Sequence, residues 1–154
     1  MKKSAGILFF KREKEKIKVL LCHPGGPYWT NTNLHSWGIP KGELNNKENL
    51  KDAAIREFKE ETNLDISADI EFLYTKKVSN NKLVTIFLKE QDLDLSNCKS
   101  NTFTLEWPKG SNKINTYPEN DKFEWINIEE AYDLIFPQQK IFLDKLKARL
   151  KDAK

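Results

Sequence analysis

The chain lacks what would mark it for a membrane, for export or for a thiol-held metal. No apolar run approaches the roughly 20 residues that a membrane-spanning helix needs. The opening MKKSAGILFF holds an apolar stretch too short and too abruptly ended for a signal peptide. There are two cysteines, Cys22 and Cys98, far apart and neither in a CxxC pair, so cysteine zinc binding is not expected. Nothing else looks secreted, and the two are read as reduced, buried thiols of a cytoplasmic protein. Neither sign of charge dominates. With 26 Lys and Arg against 23 Asp and Glu the formal charge is +3, which does not indicate a dedicated DNA-binding surface. No repeat period is present, which excludes a collagen, a coiled coil and a repeat array.

What is present suits one folded domain spanning residues 1–154. The chain has 154 residues, too few for two ordinary domains, and its 11% aromatic content can build a core. Its ends are more basic than the middle, with seven Lys or Arg between Met1 and Lys18 against Glu13 and Glu15. These read as solvated faces, or as a weak positive field that draws in a polyphosphate.

Ser4 to Phe10 and Ile17 to Cys22 are apolar and flank the polar Lys11–Lys16, which predicts a hairpin. HPGGPYWTNTN, His23 to Asn33, reads as a loop. Ser36 to Pro40 is a brief extended piece. Ile66 to Val78 and Lys82 to Lys89 predict two strands around a turn at Ser79, Asn80 and Asn81. Asp92 to Asn120 is weakly patterned and interrupted by Pro108, Gly110 and Pro118. A short strand over Phe123–Ile126 follows. Ile128, Ala131, Tyr132 and Ile135 have helical spacing, and Pro137 suits the first turn of a last helix with Phe142, Leu143, Leu146 and Leu150 as its stripe.

The chemistry is concentrated in GELNNKENLKDAAIREFKEETNL, Gly42 to Leu64. Asn49 is a good N-cap with Asp52 placed to reach back to it, and Asn63 suits the left-handed residue that ends a helix. On the helical wheel Leu50, Ala54, Ile55 and Phe58 form the core face, and Glu57, Glu60 and Glu61 cluster along one edge of it. Exposed helices often carry several glutamates. Carboxylates crowded at an apolar border repel one another, however, and a divalent cation between them offsets that cost. Oxygen donors of this kind suit Mg²⁺ or Mn²⁺.

The wider spacing is Gly42, five residues, Glu48, seven residues, Arg56-Glu57, Phe58, one residue, Glu60-Glu61, one residue, Asn63-Leu64. It resembles the Nudix box, with Asn63 in place of the last glycine. Six fixed positions match by chance at about 10⁻⁷ per starting point. WGIPKGE leading into the box, SAGILFF, HPGGPYW, FTLEWP and PENDKFEW extend the likeness over nearly the whole chain, to a bacterial branch of small pyrophosphohydrolases.

The resemblance implies an α/β fold, an α/β/α sandwich around a mixed sheet. It implies hydrolysis of a P–O–P bond in a nucleoside diphosphate linked to another group, with Mg²⁺, or Mn²⁺, as cofactor. By position, Glu57, Glu60 and Glu61 hold metal, together with the carbonyl of Lys41. Arg56, counted with the catalytic set, orients a box glutamate by an ion pair, and Gly42 and Glu48 are supporting residues. Glu119 is the candidate general base and a further metal ligand, with Glu124 and Glu57 as other bases.

Nucleotide contacts are expected from loop aromatics, Tyr28, Trp29 and Tyr117 with Trp107 a further candidate. Lys41 and Lys77 are expected to meet phosphate, and Lys76, Lys82, His23 and His35 are weaker candidates. The substrate reading favours a dinucleoside polyphosphate such as diadenosine tetraphosphate. Oxidised nucleoside triphosphates and RNA 5′ ends are the alternatives, and a non-catalytic nucleotide-binding module is the reading outside enzymes. The expected partner is a nucleotide, with no membrane, in a monomer or homodimer.

Overall fold

Strand β1 (Lys2–Glu13) buries seven consecutive residues, Ser4 to Phe10. A run buried on both faces belongs inside a sheet. In the computed structural model, which describes residues 1–152, β1 lies between β5 (Lys82–Glu90), parallel to it, and β2 (Lys16–Pro24), antiparallel. Among the described residues six strands form one mixed sheet in the order β4 (Glu71–Ser79), β5, β1, β2, β8 (Asn120–Asn127), with β3 (Lys41–Glu43) paired to the start of β1. Two further strands, β6 (Thr102–Glu106) and β7 (Ile114–Pro118), form a separate hairpin.

Helices cover both faces, which makes the layered α/β/α architecture. Ala5, Ile7, Phe9 and Leu20 face α1 (Leu50–Thr62), where Phe9 and Phe58 pack with ring centroids 4.8 Å apart. The alternate residues Leu8, Phe10, Val19 and Leu21 face α2 (Ile128–Leu134) and α3 (Lys140–Asp152), meeting Ala131, Phe142, Leu143 and Leu146. Strands β1 and β2 are thus the spine of both cores. A 3₁₀ turn at Pro137–Gln139 joins the last two helices. No helix among the described residues is long and apolar enough to cross a membrane.

The structure corrects several expected boundaries. The polar Lys11–Lys16 segment is mostly strand, because the turn is only Lys14 and Glu15, both at positive φ as a two-residue hairpin turn requires. Lys11, Arg12 and Lys18 keep their charges paired outside the sheet, on Asp92, Glu90 and Glu13. Strand β4 begins at Glu71 rather than Ile66, since Leu64, Ile66 and Ile70 pack as loop anchors beneath α1 without pairing. The β6–β7 hairpin occupies part of the segment that looked unpatterned. Its residues face no main core, so its alternation is weak. Cys22 is a buried thiol, pushed up by burial, and Cys98 is half-buried.

Candidate active site

Helix α1 is fixed at both ends by side chains the sequence provides. Asn49 accepts a hydrogen bond from the Asp52 backbone N–H at 2.8 Å and donates to the Asp52 carboxylate at 2.9 Å. Asn63 closes the helix at φ 66°, ψ 17°, its N–H donating to the Lys59 carbonyl. Between these caps, Ala53, Ala54, Phe58 and Thr62 are buried, and so is Glu57, which is 8% exposed.

A carboxylate that deep needs a partner, and Arg56 supplies it. Its Nε and one Nη2 hydrogen donate to Glu48 at 2.8 and 2.9 Å. Nη1 donates to Glu57 at 2.8 Å and Glu60 at 3.0 Å, and Nη2 also donates to the Glu43 carbonyl at 2.9 Å. All five donors of the guanidinium are engaged. Glu48 is held down to about 2, first by Arg56 and then by the Asn45 N–H. Glu57 is instead raised by burial, which outweighs the Arg56 contact. A Cβ at Gly42 would fall on the Glu57 carboxylate and displace it.

Glu61 stands apart from that network. Its carboxylate accepts from the side-chain amide of Asn120, and burial, then the charges of Glu119 and Glu57, push it up to about 7. Residues 99–101 bring these groups together. Lys99 and Asn101 donate to the Thr62 and Glu60 carbonyls at 3.2 and 3.0 Å, and Glu119 donates to the Asn101 carbonyl at 2.7 Å. Ser100 Oγ accepts from the Asn120 N–H at 2.8 Å.

Glu61, Glu119 and Asn120 line a cavity of about 180 Å³ with Lys41, Trp29 and Gln139. Trp29 meets Phe136, also on its wall, edge to face at 5.7 Å. Lys41 is lowered by burial and then by Lys82, with Glu61 acting the other way. A larger groove of about 660 Å³ beside the β1–β2 turn is lined by Arg12, Ile17 and Leu150 and contains none of the helix glutamates.

Of the residues expected from sequence, Lys41, Trp29, Glu61 and Glu119 therefore line one cavity, and Glu48, Arg56, Glu57 and Glu60 form the adjoining network. Others lie elsewhere. Tyr28 is 62% exposed and packs on Trp107 at 4.9 Å. Tyr117 packs on Phe103 in the hairpin. Lys77 is an exposed residue of β4, Lys76 donates to the Gln138 carbonyl at 3.0 Å, and Glu124 lies in β8 opposite Leu21. Asn120, Phe136 and Gln139 were not anticipated. Asn120 had a signal in its place beside Glu119 within PENDKFEW. The other two had none, since α3 and its leading turn read only as core.

Among the described residues no group of three or more His, Cys, Asp or Glu side chains is gathered as a ready metal site. Arg56 draws Glu57 and Glu60 to itself, and Asn120 holds Glu61. The repulsion expected among the three glutamates is therefore met partly by an arginine. The donor set still fits a divalent cation. The oxygens are hard, and the raised Glu57 and Glu61 mark negative charge that burial leaves poorly compensated.

Comparison with known proteins identifies the family and the fold. A family model described as NUDIX domain matches residues 1–146. An Ap4A hydrolase from C. elegans, solved as a binary complex, has a similar fold, with TM-score 0.65, 22% identity and 99% of each chain covered. The NUDIX domain of NrtR from Shewanella oneidensis, solved with ADP ribose, gives TM-score 0.65 at 16% identity, covering 96% of this chain and 87% of that one. A MutT protein from Methanosarcina mazei gives 0.61 at 19%, covering 97% and 94%. No curated protein matches the sequence.

Proposed function

The chain belongs to the Nudix family and is a Nudix hydrolase, and from that premise we propose that it is a Mg²⁺-dependent pyrophosphohydrolase of dinucleoside polyphosphates, diadenosine tetraphosphate being the favoured substrate. The observation that carries the reading is the meeting of Glu61, Glu119, Lys41 and Trp29 in one cavity beside the Arg56 network.

Glu57, Glu60, Glu61 and Glu119, with the Lys41 carbonyl, would hold the ion. When bound, Mg²⁺ supplies neutralisation of phosphate oxygens and a more acidic water. Arg56 orients Glu57 and Glu60 by its hydrogen bonds to both. Glu61, poised near 7 in the metal-free protein, is readily deprotonated to serve as a ligand. Glu119, exposed beside it, takes the proton of the attacking water. Glu57 is tied to Arg56, and Glu124 does not line the cavity, so neither is as well placed for that task. The Lys41 ammonium meets a phosphate, and Trp29, edge to face with Phe136, offers an apolar wall to a base.

A volume of about 180 Å³ takes only part of a nucleotide. The rest of the substrate lies on the open surface, where the Tyr28–Trp107 pair is a second aromatic platform. Two separate aromatic pairs favour a substrate with two bases, and the likeness to an Ap4A hydrolase agrees.

The test is product analysis by anion-exchange chromatography. Purified protein with Mg²⁺ is offered diadenosine polyphosphates, normal and oxidised triphosphates, nucleotide sugars and a 5′-triphosphate RNA. ATP plus AMP from diadenosine tetraphosphate, at the highest kcat/KM, is the expected result. Preference for a triphosphate or the RNA would overturn the substrate. No turnover with Mg²⁺ or Mn²⁺ would overturn the activity.

A further inference from the structure

One buried polar side chain has no part in the chemistry above. His23, near the end of β2, is 0% exposed, and its ring is tilted against Trp37 at 5.3 Å. Nδ1 lies 2.7 Å from Asp121 Oδ1, and Nε2 lies 2.8 Å from the Thr32 carbonyl and 3.2 Å from Thr32 Oγ1. The Thr32 hydroxyl hydrogen is spent on the Trp29 carbonyl at 2.7 Å, so it does not go to the ring. The ring is thus bonded at both ends, to Asp121 and to Thr32.

Those two ends reach the two sides of the cavity. In the β2–β8 register, His23 faces Lys122 and Pro24 faces Asn120, which leaves Asp121 as the extra residue of a bulge. A bulge bends its strand and re-aims the side chains next to it. Here those neighbours are Asn120, buried on Glu61, and Glu119 on the rim. At the other end, Thr32 closes a turn whose first residue is Trp29, with Thr32 N–H on the Trp29 carbonyl at 2.9 Å. Trp29 lines the same cavity. Gly25 N–H on the Glu119 carbonyl at 2.9 Å joins the two segments again.

We propose that His23 is a positioning residue, which by bonding Asp121 and Thr32 at once locks the β8 bulge and the Trp29 loop in the arrangement the cavity needs. The Asp121 bond sets Asn120 and Glu119, and so serves the chemical step. The Thr32 bond sets Trp29, and so serves substrate binding. The kinetic consequence rests on the proposed hydrolase activity. The placement of the residues does not.

The test compares wild type with Asp121→Ala, Asp121→Asn and His23→Phe in the metal-free full chain by ¹⁵N NMR, and then by kinetics on diadenosine tetraphosphate with Mg²⁺. Asp121→Ala should move the Asn120 side-chain amide and the Glu61 backbone amide while leaving the Trp29 indole in place. His23→Phe, which keeps the ring volume beside Trp37, should move both sets. In turnover, Asp121→Ala should lower kcat at least about tenfold with KM held within about threefold, the scale of losing a group that orients ligands. His23→Phe should also raise KM, and Asp121→Asn, which retains an acceptor, should recover most of kcat. An unmoved Asn120 amide in Asp121→Ala, or a His23→Phe protein that only melts earlier with kinetics unchanged, would overturn the proposal. If wild type hydrolyses nothing, the activity fails, and the amide shifts alone decide the clamp.

Discussion

Glu48 and Glu61 stand at opposite ends of the same motif and are held in opposite ways. Glu48 takes two hydrogen bonds from one guanidinium and one from a backbone N–H, and sits at about 2. Glu61 has the amide of Asn120, lies half-buried near other carboxylates, and sits at about 7. The motif thus divides into a half that is electrostatically complete and a half that is short of positive charge. Glu48, in the complete half, is scaffold. The deficient half is where a cation or a phosphate-bound metal gains most.

The sharpest way to break the comparison is Glu61→Gln. Turnover should fall at least about 100-fold, the scale of losing a metal-holding or proton-transferring group. A variant with full activity and unchanged metal dependence would contradict the assignment.

Next in size is Arg56→Gln. It leaves Glu48, Glu57 and Glu60 facing one another without their shared donor. We expect a loss of about 3 kcal/mol in unfolding experiments and at least a tenfold loss of kcat/KM. Arg56→Lys should recover little, because an ammonium cannot fill five directional bonds. Full rescue by lysine would show that charge alone matters there.

The two glutamates also predict opposite limbs of a pH–stability profile without metal. Glu48 is depressed below its ordinary 4.5, so it stabilises the fold above that pH, and the contribution is lost as pH falls toward 2. Glu61 is raised, so the folded state holds its proton more tightly than the unfolded one. Stability from Glu61 is full below 4.5 and is lost as pH rises through about 7. Glu61→Gln should remove that second limb and raise the melting temperature of the metal-free protein at pH 8. A melting temperature that falls instead would show that ionised Glu61 stabilises the fold.

The smallest effect is at the cap. Asn63→Gly should leave stability equal or raise it by up to about 0.5 kcal/mol, since relief at positive φ is opposed by extra unfolded-state entropy. A clear drop in thermal melting would show that the Asn63 side chain contributes more than its tolerance of that conformation.

The box helix was legible in the sequence because its information is local. Asn49, Asp52 and Asn63 act on the backbone within a few residues, and the apolar and acidic faces follow from helical spacing. The strand character of β1 was visible in SAGILFF for the same reason. The cavity was less legible because its walls come from distant segments. Trp29 was anticipated beside Tyr28 and Tyr117, yet composition does not say which loop aromatic turns inward. Asn120 reaches Glu61 through a bulge, and a bulge depends on pairing with β2 that no local pattern records. Phe136 and Gln139 enter only because the turn after α2 crosses the cavity.

The most direct measurement is calorimetric titration of the metal-free protein with Mn²⁺ and Mg²⁺, comparing wild type, Glu48→Gln and Glu61→Gln. Glu61→Gln should lose at least about tenfold in affinity, and Glu48→Gln should stay within about threefold of wild type. Unchanged binding in Glu61→Gln, with the loss falling on Glu48→Gln, would contradict the division between scaffold and site.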